Sequence, residues 1–513
     1  MSDSMAQLTV STAPGRRGVD GAAGPLELVD AVRLVRRARR RLVRLARAEL
    51  VDTLPGLLHR HLGGDAPDLS VVADGWPSYE HVNVQTALDA WVAEPGVEHE
   101  LIGIVGFQHH SFGLADLLAA QGAEGFGPRP GNVARVNVAT GPDGRVLACV
   151  QCAIYLVTDG PHRVALLVRA ADPSMGEPLV TVQVVSSTTG HAANVTRRLR
   201  ELALAHNVFR GQVLSFGGEV FGHGETLLQF HRRADLAATT LILPDQTLEA
   251  VRRQVVEVAR HKKQLLAAGQ HLKRGLLLYG PPGVGKTHTV RYLTSTLTDT
   301  TVLQLTGNAL HLVAEACSVA RTLQPSMVVI EDVDLIAEDR GMHPGQHPLL
   351  FQLLNEMDGL ETDADVVFVL TTNRADLLEP ALAARPGRID QAVELTLPDA
   401  GARRALFALY RGSLSVDESR LDDVLERTDG VTASFLKELL RRAAVLSAAA
   451  DEGQDAALTV TADQLDEALA ELLDTRNAMT RVLLGSAPAW RARSQEHDAD
   501  LLDDLDEGWT PHT

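Results

Sequence analysis

Eight consecutive residues near the middle of the sequence have the types and spacing of a phosphate-binding loop, a glycine and four residues followed by Gly-Lys-Thr. They are Gly280, Pro281, Pro282, Gly283, Val284, Gly285, Lys286 and Thr287. Glycines allow several backbone N–H groups to turn towards one phosphate. Lys286 would reach the β- and γ-phosphates, and the Thr287 hydroxyl would ligate Mg²⁺. The pattern therefore predicts a site for a nucleoside triphosphate and Mg²⁺.

A strand and a helix are predicted to hold this loop from its two sides. Residues 275–279 are a short apolar run typical of a strand, and residues 288–297 have a helical pattern. The N-terminus of a helix adds partial positive charge to a phosphate site. His288 begins the predicted helix, so the candidate nucleotide-binding residues run from Gly280 to His288.

Strands and helices alternate through the rest of this region. Four more strands are predicted, at residues 302–305, 327–330, 366–370 and 392–397. Alternation of this kind predicts an α/β fold with a parallel, doubly wound sheet, whose ligand lies at the carboxyl ends of the strands. We assign residues 235–398 to this nucleotide-binding subdomain and the mainly helical residues 399–475 to a small lid.

A separate α/β domain is predicted at residues 70–232. Its predicted helices are residues 83–92 and 194–206, and its predicted strands are residues 146–157, 164–169, 179–185, 212–216 and 227–230. The region has no catalytic constellation, and we interpret it as the domain that selects a partner or substrate.

The two ends of the chain have unusual compositions. Residues 1–24 are rich in Ser, Gly, Ala and Pro, which predicts a disordered tail, and residues 487–513 form an acidic tail. Residues 25–65 predict an arginine-rich helix. Its arginines could dock on a membrane or nucleic acid, but a solvated face that pairs with the acidic remainder of the chain is favoured.

Composition limits the classes of function. The 513 residues carry a formal net charge of −18, which argues against a nucleic-acid partner because phosphate contacts need positive surface. Cys149 and Cys152 lie three residues apart in a predicted strand, so they should point to opposite faces and share no metal. The sequence shows neither a run of 18 apolar residues nor a secretory pattern, which predicts a cytoplasmic protein without a transmembrane segment.

Five motifs follow one another in a fixed order. They are residues 279–283, the acidic pair Glu331 and Asp332, and residues 354–359, 371–374 and 385–390. Together they resemble the ATPase module of the AAA clade. The resemblance implies a P-loop module that binds ATP and Mg²⁺ between the subunits of a homo-oligomeric ring, usually a hexamer.

The resemblance also assigns roles beyond the phosphate loop. Asn373 matches the first sensor, which orients the attacking water. Arg385 and Arg388 match the paired arginines that reach into the neighbouring subunit's site. A guanidinium there would stabilise the charge that develops on the γ-phosphoryl group.

The acidic pair departs from the family's order. Members end this strand with Asp, which holds the Mg²⁺-bound water, and then Glu, which polarises the attacking water. Aligned on Asp334, this chain has Glu331 as the candidate metal ligand, with Thr287, and Asp332 as the candidate base. The same order occurs in the mitochondrial membrane-anchored AAA translocase, to which this module is similar, although no anchor is predicted here. Because a base misplaced by about 1 Å can cost about 10²-fold in rate, we expect retained binding with slow hydrolysis.

The favoured hypothesis is a Mg²⁺-dependent ATPase ring that remodels or moves a protein partner. Residues 307–325 contain no aromatic residue, whereas family members that thread unfolded chains grip them with an aromatic side chain there. Remodelling of a folded partner is therefore favoured over threading. The alternative is a nucleotide-gated switch that binds ATP and hydrolyses it very slowly, and a nucleic-acid motor is disfavoured by the net charge.

Overall fold

A computed structural model of the chain describes residues 53–63, 69–106, 112–119, 128–218, 226–334, 348–359, 361, 363–375, 389–450 and 458–474. The predicted tails at residues 1–24 and 487–513 lie outside these ranges. So does most of the predicted arginine-rich helix, of which the structure describes α1 at Leu54–Leu62. Among the described residues, no helix combines the length and the hydropathy needed to cross a bilayer.

The first sheet is antiparallel and lies in the N-terminal half of the chain. Its strands are β1 Val72–Pro77, β2 Val97–Val105, β3 Arg129–Gly131, β4 Ala134–Ala139, β5 Val146–Asp159, β6 His162–Arg169 and β7 Leu179–Ser186. The order is β1-β7-β6-β5-β2-β3, and β4 pairs with β5 beside β2. The sequence predicted β5, β6 and β7 to within about two residues at each end, because each is a continuous apolar run between turns.

Helices cover both faces of the first sheet. They are α1, α2 His81–Val92, α3 Leu114–Ala119 and α4 His191–Ala205. Tyr155 and Val157 of β5 pack in the cluster that contains α2 and α4 residues, while Ile154 and Leu156 pack with α1 and α3 residues. This is the period-two alternation of a strand buried on both sides.

The two cysteines of β5 follow the same alternation. Cys149 belongs to one buried cluster and Cys152 to another, which confirms the prediction that they point to opposite faces. Burial raises the pKa of the Cys149 thiol to about 11 and that of Cys152 to about 12. Both therefore remain neutral thiols that pack as small apolar residues.

The second sheet carries the phosphate loop. Its strands are β8 Val213–Gly218, β9 Thr226–His231, β10 Arg274–Tyr279, β11 Thr301–Leu305, β12 Ser326–Ile330, β13 Val366–Thr372 and β14 Gln391–Glu394. The order is β14-β10-β13-β12-β11-β8-β9. All neighbours are parallel except β8 and β9, which form an antiparallel hairpin. The predicted parallel, doubly wound sheet is confirmed.

The β8–β9 hairpin extends this sheet beyond β11. From the sequence, both strands were assigned to the N-terminal domain, which was predicted to end at residue 232. In the structure, Val213 of β8 pairs with Val302 of β11. Which sheet a strand joins depends on pairing across almost ninety residues of chain, and local hydrophobic pattern does not encode that choice.

Arg233, just after β9, fastens the hairpin to the remainder of the sheet. Its guanidinium donates hydrogen bonds to backbone carbonyl oxygens on three segments: Gly211, Thr300, and both Thr294 and Leu297. The last two lie at the C-terminal end of the helix that follows the phosphate loop. A cation there satisfies carbonyl groups that a helix end leaves unpaired and complements the helix dipole.

Helices pack on both faces of the second sheet, and a small helical lid follows it. The flanking helices are α5 Asp245–Arg252, α6 Lys262–Ala267, α7 Lys286–Thr296, α8 Val313–Thr322 and α9 Pro348–Asp358. Helix α5 continues through a π-helical turn at Arg253–Glu257 and a last turn at Val258–Arg260. The lid comprises α10 Ala400–Arg411, α11 Leu421–Arg427, α12 Ala433–Ala450 and α13 Ala462–Leu473, with short strands β15 Ser415–Val416 and β16 Thr459–Val460. The lid has its own buried cluster.

Asp365→Ala is expected to destabilise the second sheet by about 3–5 kcal/mol. The Arg274 side chain is only 5% exposed, and its Nη1 lies 3.2 Å from Asp365 Oδ1, where β10 and β13 begin. Removing the carboxylate leaves a buried guanidinium without its counter-charge. Lys262→Ala is the control, because its half-exposed ammonium also reaches Asp365, at 3.4 Å, and such pairs contribute at most about 1 kcal/mol. Equal urea midpoints for the two variants, by circular dichroism, would contradict the assignment.

Candidate active site

The phosphate loop connects β10 to α7, as predicted. Gly280 has φ 141°, and a Cβ there would lie 2.2 Å from the carbonyl oxygen of Leu395, so only glycine fits. Gly285 has φ 108° and directly precedes α7. A Cβ built on Gly285 would meet no atom within 4 Å. The loop is therefore tight against β14 at its start and open at the helix N-terminus, where backbone N–H groups can face an anion.

Lys286 is the buried cation of the site. It is 7% exposed, and its Nζ donates to the carbonyl oxygens of Gly280 and Pro281, at 2.7 and 2.9 Å, and to Asn373 Oδ1, at 2.8 Å. Burial lowers the pKa of Lys286 to about 8, and the charges of Asp332 and Asp334 act in the opposite direction. The structure thus brings Asn373, which was singled out from the family resemblance, into direct contact with the loop lysine.

Two oxygen ligands of the kind Mg²⁺ prefers meet at the start of α7. Thr287 Oγ1 donates to Glu331 Oε2 at 2.8 Å. Glu331 directly follows β12. In the parallel sheet, only β13 separates the carboxyl end of β12 from that of β10. Mg²⁺ takes oxygen ligands and commonly uses one or two protein groups beside substrate phosphates and water. Thr287 and Glu331 therefore fit the metal that the phosphate loop implies.

Asp332 stands in a strained conformation between Glu331 and the β13 strand. It is the one residue other than glycine with positive φ among the described residues, at 52°. Its N–H donates to Thr371 Oγ1 at 3.1 Å, and its Oδ1 accepts from Asn373 Nδ2 at 3.3 Å. Left-handed geometry at such a residue costs on the order of 1–3 kcal/mol and concentrates at functional sites. The carboxylate and the amide are thereby held together at the edge of the sheet.

Asp334 supports this arrangement, and the sequence analysis gave it no role. It is 7% exposed, and its Oδ1 accepts from Thr372 Oγ1 at 2.9 Å and from the N–H of Asn373 at 3.3 Å. It thus fixes the backbone from which the Asn373 side chain reaches the lysine. The sequence offered one signal for this role, the third carboxylate in Glu-Asp-Val-Asp after β12, with the hydroxyl of Thr372 at the end of β13 as its partner.

The lid touches the phosphate loop at its middle glycine. The Ser434 N–H donates to the carbonyl oxygen of Gly283 at 3.3 Å, and a Cβ on Gly283 would lie 2.9 Å from Thr432 Oγ1. Both lid residues lie at the start of α12. His288 lies on another side of the loop, with Nε2 3.0 Å from the carbonyl oxygen of Thr240. Its part in nucleotide binding stays a prediction.

Arg385 and Arg388 lie outside the described residues, so their predicted reach into a neighbouring subunit also stays a prediction. Glu331, Asp332, Asn373 and residues 280–288 all lie within the described ranges. Of the candidate catalytic residues, the structure therefore brings three to the phosphate loop.

Comparison with known proteins agrees with this geometry. Residues 276–397 match the family model "ATPase family associated with various cellular activities (AAA)". Residues 276–397 therefore have the sequence of an AAA ATPase domain. The match begins in β10, includes the phosphate loop, Glu331, Asp332 and Asn373, and ends just beyond β14.

Proteins similar to this chain include bacterial proteins named ATP-dependent zinc metalloprotease FtsH. The one from Ureaplasma parvum is 30% identical over 228 residues, 42% of this chain and 31% of the relative. FtsH 2 of Sphaerobacter thermophilus is 35% identical over 238 residues, 44% of this chain and 36% of the relative. The FtsH of Thermus thermophilus is 33% identical over 231 residues, which are 42% of this chain and 36% of the relative. The chain thus matches about a third of the length of these curated relatives.

Nucleotide binding is expected to be accompanied by proton uptake near pH 8. With the Lys286 pKa at about 8 in the free chain, roughly half of the ammonium is deprotonated at pH 8. A bound triphosphate favours the charged amine and raises its pKa. Affinity should therefore fall as pH rises through 8, and uptake should approach about half a proton at pH 8 and vanish by pH 6.5.

Isothermal titration with a non-hydrolysable ATP analogue, in buffers of different ionisation enthalpy, measures this uptake. Lys437→Ala is the matched control, because Lys437 is an exposed lysine on α12. Proton uptake that is zero at pH 8 would contradict the buried state of the loop amine.

Proposed function

We propose that this chain hydrolyses ATP with Mg²⁺ in an oligomeric ring and remodels or moves a protein partner. The observation that carries the proposal is the meeting of five functional groups at the carboxyl ends of β10, β13 and β12. They are the Lys286 ammonium, the Thr287 hydroxyl, the Glu331 and Asp332 carboxylates and the Asn373 amide.

Each group has a part in phosphoryl transfer to water. Lys286 holds the β- and γ-phosphates, and Thr287 and Glu331 hold the metal, which when bound neutralises charge on the phosphate oxygens. Asp332 accepts a proton from the attacking water, and Asn373 orients that water from its position beside Asp332. Asp334 keeps Asn373 in place.

Hydrolysis is favoured over a nucleotide-gated switch for two reasons. The Asp332 carboxylate accepts a hydrogen bond of 3.3 Å from the amide of Asn373, which places a candidate base beside the candidate sensor. The relatives are also ATP-dependent by name. Because Asp332 is shorter than the usual glutamate, the rate is expected to be low.

A protein client is proposed from the first sheet, which precedes the AAA domain and has buried cores of its own. The relatives are proteases by name, but the 513-residue sequence contains no His-Glu-x-x-His motif. Remodelling is therefore proposed for these residues, and proteolysis is not.

Mixing two inactive variants tests the ring and the chemistry together. Lys286→Ala should lose nucleotide, and Arg388→Ala should lose the arginine offered to a neighbour, so each alone should have less than about 1% of the parent turnover. In a mixed ring, the intact loop of one protomer can meet the intact arginine of the other. ATP turnover that returns on mixing supports shared sites, whereas full activity of Arg388→Ala alone would overturn the proposed trans arginine.

A further inference from the structure

A cavity of about 740 Å³ lies between the first sheet and the outer hairpin of the second. Aromatic side chains form one wall, in which Phe209 lies 5.7 Å from Phe230 and 6.5 Å from Tyr79, measured between ring centroids. The volume is in the range of sites that enclose a ligand. None of the nucleotide-site residues lines it.

Two sheet edges border this cavity. Consecutive residues 136–139 of β4 line it, and so do consecutive residues 228–230 of β9. Because successive side chains of a strand point to opposite faces, a run of consecutive lining residues means that the strand's edge borders the space. Within the described residues, β4 pairs only with β5, and β9 pairs only with β8. Each strand therefore has one edge without a partner strand there.

The cavity lining is uncharged, and its ends are basic. No lining residue is an Asp, Glu, Lys or Arg. Arg135 and Arg145 are exposed residues that flank the lining parts of β4 and the β4–β5 turn. At the far end, Arg232 Nη2 lies 3.3 Å from Asp143 Oδ1, which joins β9 to that turn. Glu80 lies behind Tyr79, and burial raises the pKa of its carboxyl group.

We propose that this cavity binds an extended segment of a partner protein, which adds a strand to the free edge of β4. The segment would be uncharged and apolar at its centre, to suit the lining, and acidic at its ends, to suit Arg135 and Arg145. Strand addition supplies affinity through backbone hydrogen bonds and specificity through alternate side chains. β4 is the edge chosen because Val136 is 37% exposed on the cavity wall. Of the lining residues, β4 contributes only Val138 to the packing against the neighbouring buried cluster, whereas β9 contributes both Leu228 and Phe230.

This proposal goes beyond the ATPase reaction, and its test uses no nucleotide. The probe is a fluorescein-labelled peptide with the sequence Asp-Asp-Val-Thr-Val-Thr-Val-Asp-Asp, titrated with the full chain and followed by fluorescence anisotropy. The same peptide with N-methyl groups on all five central residues has no central N–H group to donate to a strand edge. We expect saturable binding of the first peptide and at least about tenfold weaker binding of the second.

Val136→Lys places an ammonium on the apolar wall and should weaken binding at least about tenfold. Val146→Lys is the matched control, because Val146 is 55% exposed on the adjoining strand of the same ladder and does not line the cavity. No saturable binding, equal binding of both peptides, or equal loss in both variants would overturn the proposal.

A photoreactive benzoylphenylalanine in place of Val136 identifies what occupies the site. A crosslink to the probe supports the proposal. Crosslinks only to residues 475–513 of the same chain, or to a second copy, would overturn it in favour of those occupants.

Discussion

Replacing Lys286 with alanine is expected to weaken ATP binding at least about 10²-fold and to abolish turnover. The ammonium is buried and donates to three acceptors around the phosphate loop. Each charge-assisted hydrogen bond to a phosphate oxygen contributes about 1.5–3 kcal/mol, and two such bonds account for a loss of this size. The same change also leaves Asn373 Oδ1 and two carbonyl oxygens of the loop without their donor.

Binding of a fluorescent ATP analogue, with phosphate release measured on the same samples, tests this expectation. Lys437→Ala controls for loss of one positive charge, and circular dichroism controls for folding. Unchanged analogue affinity in Lys286→Ala would remove the phosphate-loop assignment. It would leave the peptide cavity unaffected, so the two proposals fail separately.

Glu331→Gln and Asp332→Asn are expected to fail in different ways. Both changes keep shape and remove one negative charge. Glu331 contacts the Thr287 hydroxyl, so Glu331→Gln should weaken Mg²⁺ and demand roughly tenfold more metal for half-maximal nucleotide binding. Asp332 contacts the Asn373 amide instead, so Asp332→Asn should retain nucleotide and lose turnover by about 10²-fold or more.

Titration of Mg²⁺ at fixed nucleotide, followed by single-turnover hydrolysis, separates the two effects. If the metal requirement moves in Asp332→Asn and not in Glu331→Gln, then the two carboxylates have the opposite roles. If neither variant differs from the parent in turnover while both still bind ATP, the nucleotide-gated switch becomes the better description.

The sequence predicted the position of the phosphate loop between β10 and α7 well because its signal is local. The loop glycines, Lys286 and Thr287 are contiguous, and strand–loop–helix patterning fixes their placement without knowledge of distant contacts. Asn373 required the family resemblance, because nothing near it in the sequence indicates that its amide reaches Lys286, 87 residues away. Asp334 was used only for alignment, since its partners Thr372 and Asn373 come from a different strand.

The positive φ of Asp332 could not be predicted from the sequence either. Aspartate tolerates left-handed geometry better than most residues, but its type does not require it. The positive φ follows from the turn after β12, in which the Asp332 N–H donates to Thr371 Oγ1. A strained backbone at a proposed base is a feature that only tertiary contacts reveal.

The β8–β9 hairpin determines where this protein can be cut in two. A fragment that starts at residue 235 would begin after both strands and after Arg233, so the outer side of β11 would lack its neighbour. Bare strand edges recruit other chains and promote aggregation. A fragment that starts ahead of Gly211 keeps the hairpin and the guanidinium that ties it to α7. Truncation studies of the part that carries the phosphate loop therefore need the earlier start, although the first of the five motifs begins only at residue 279.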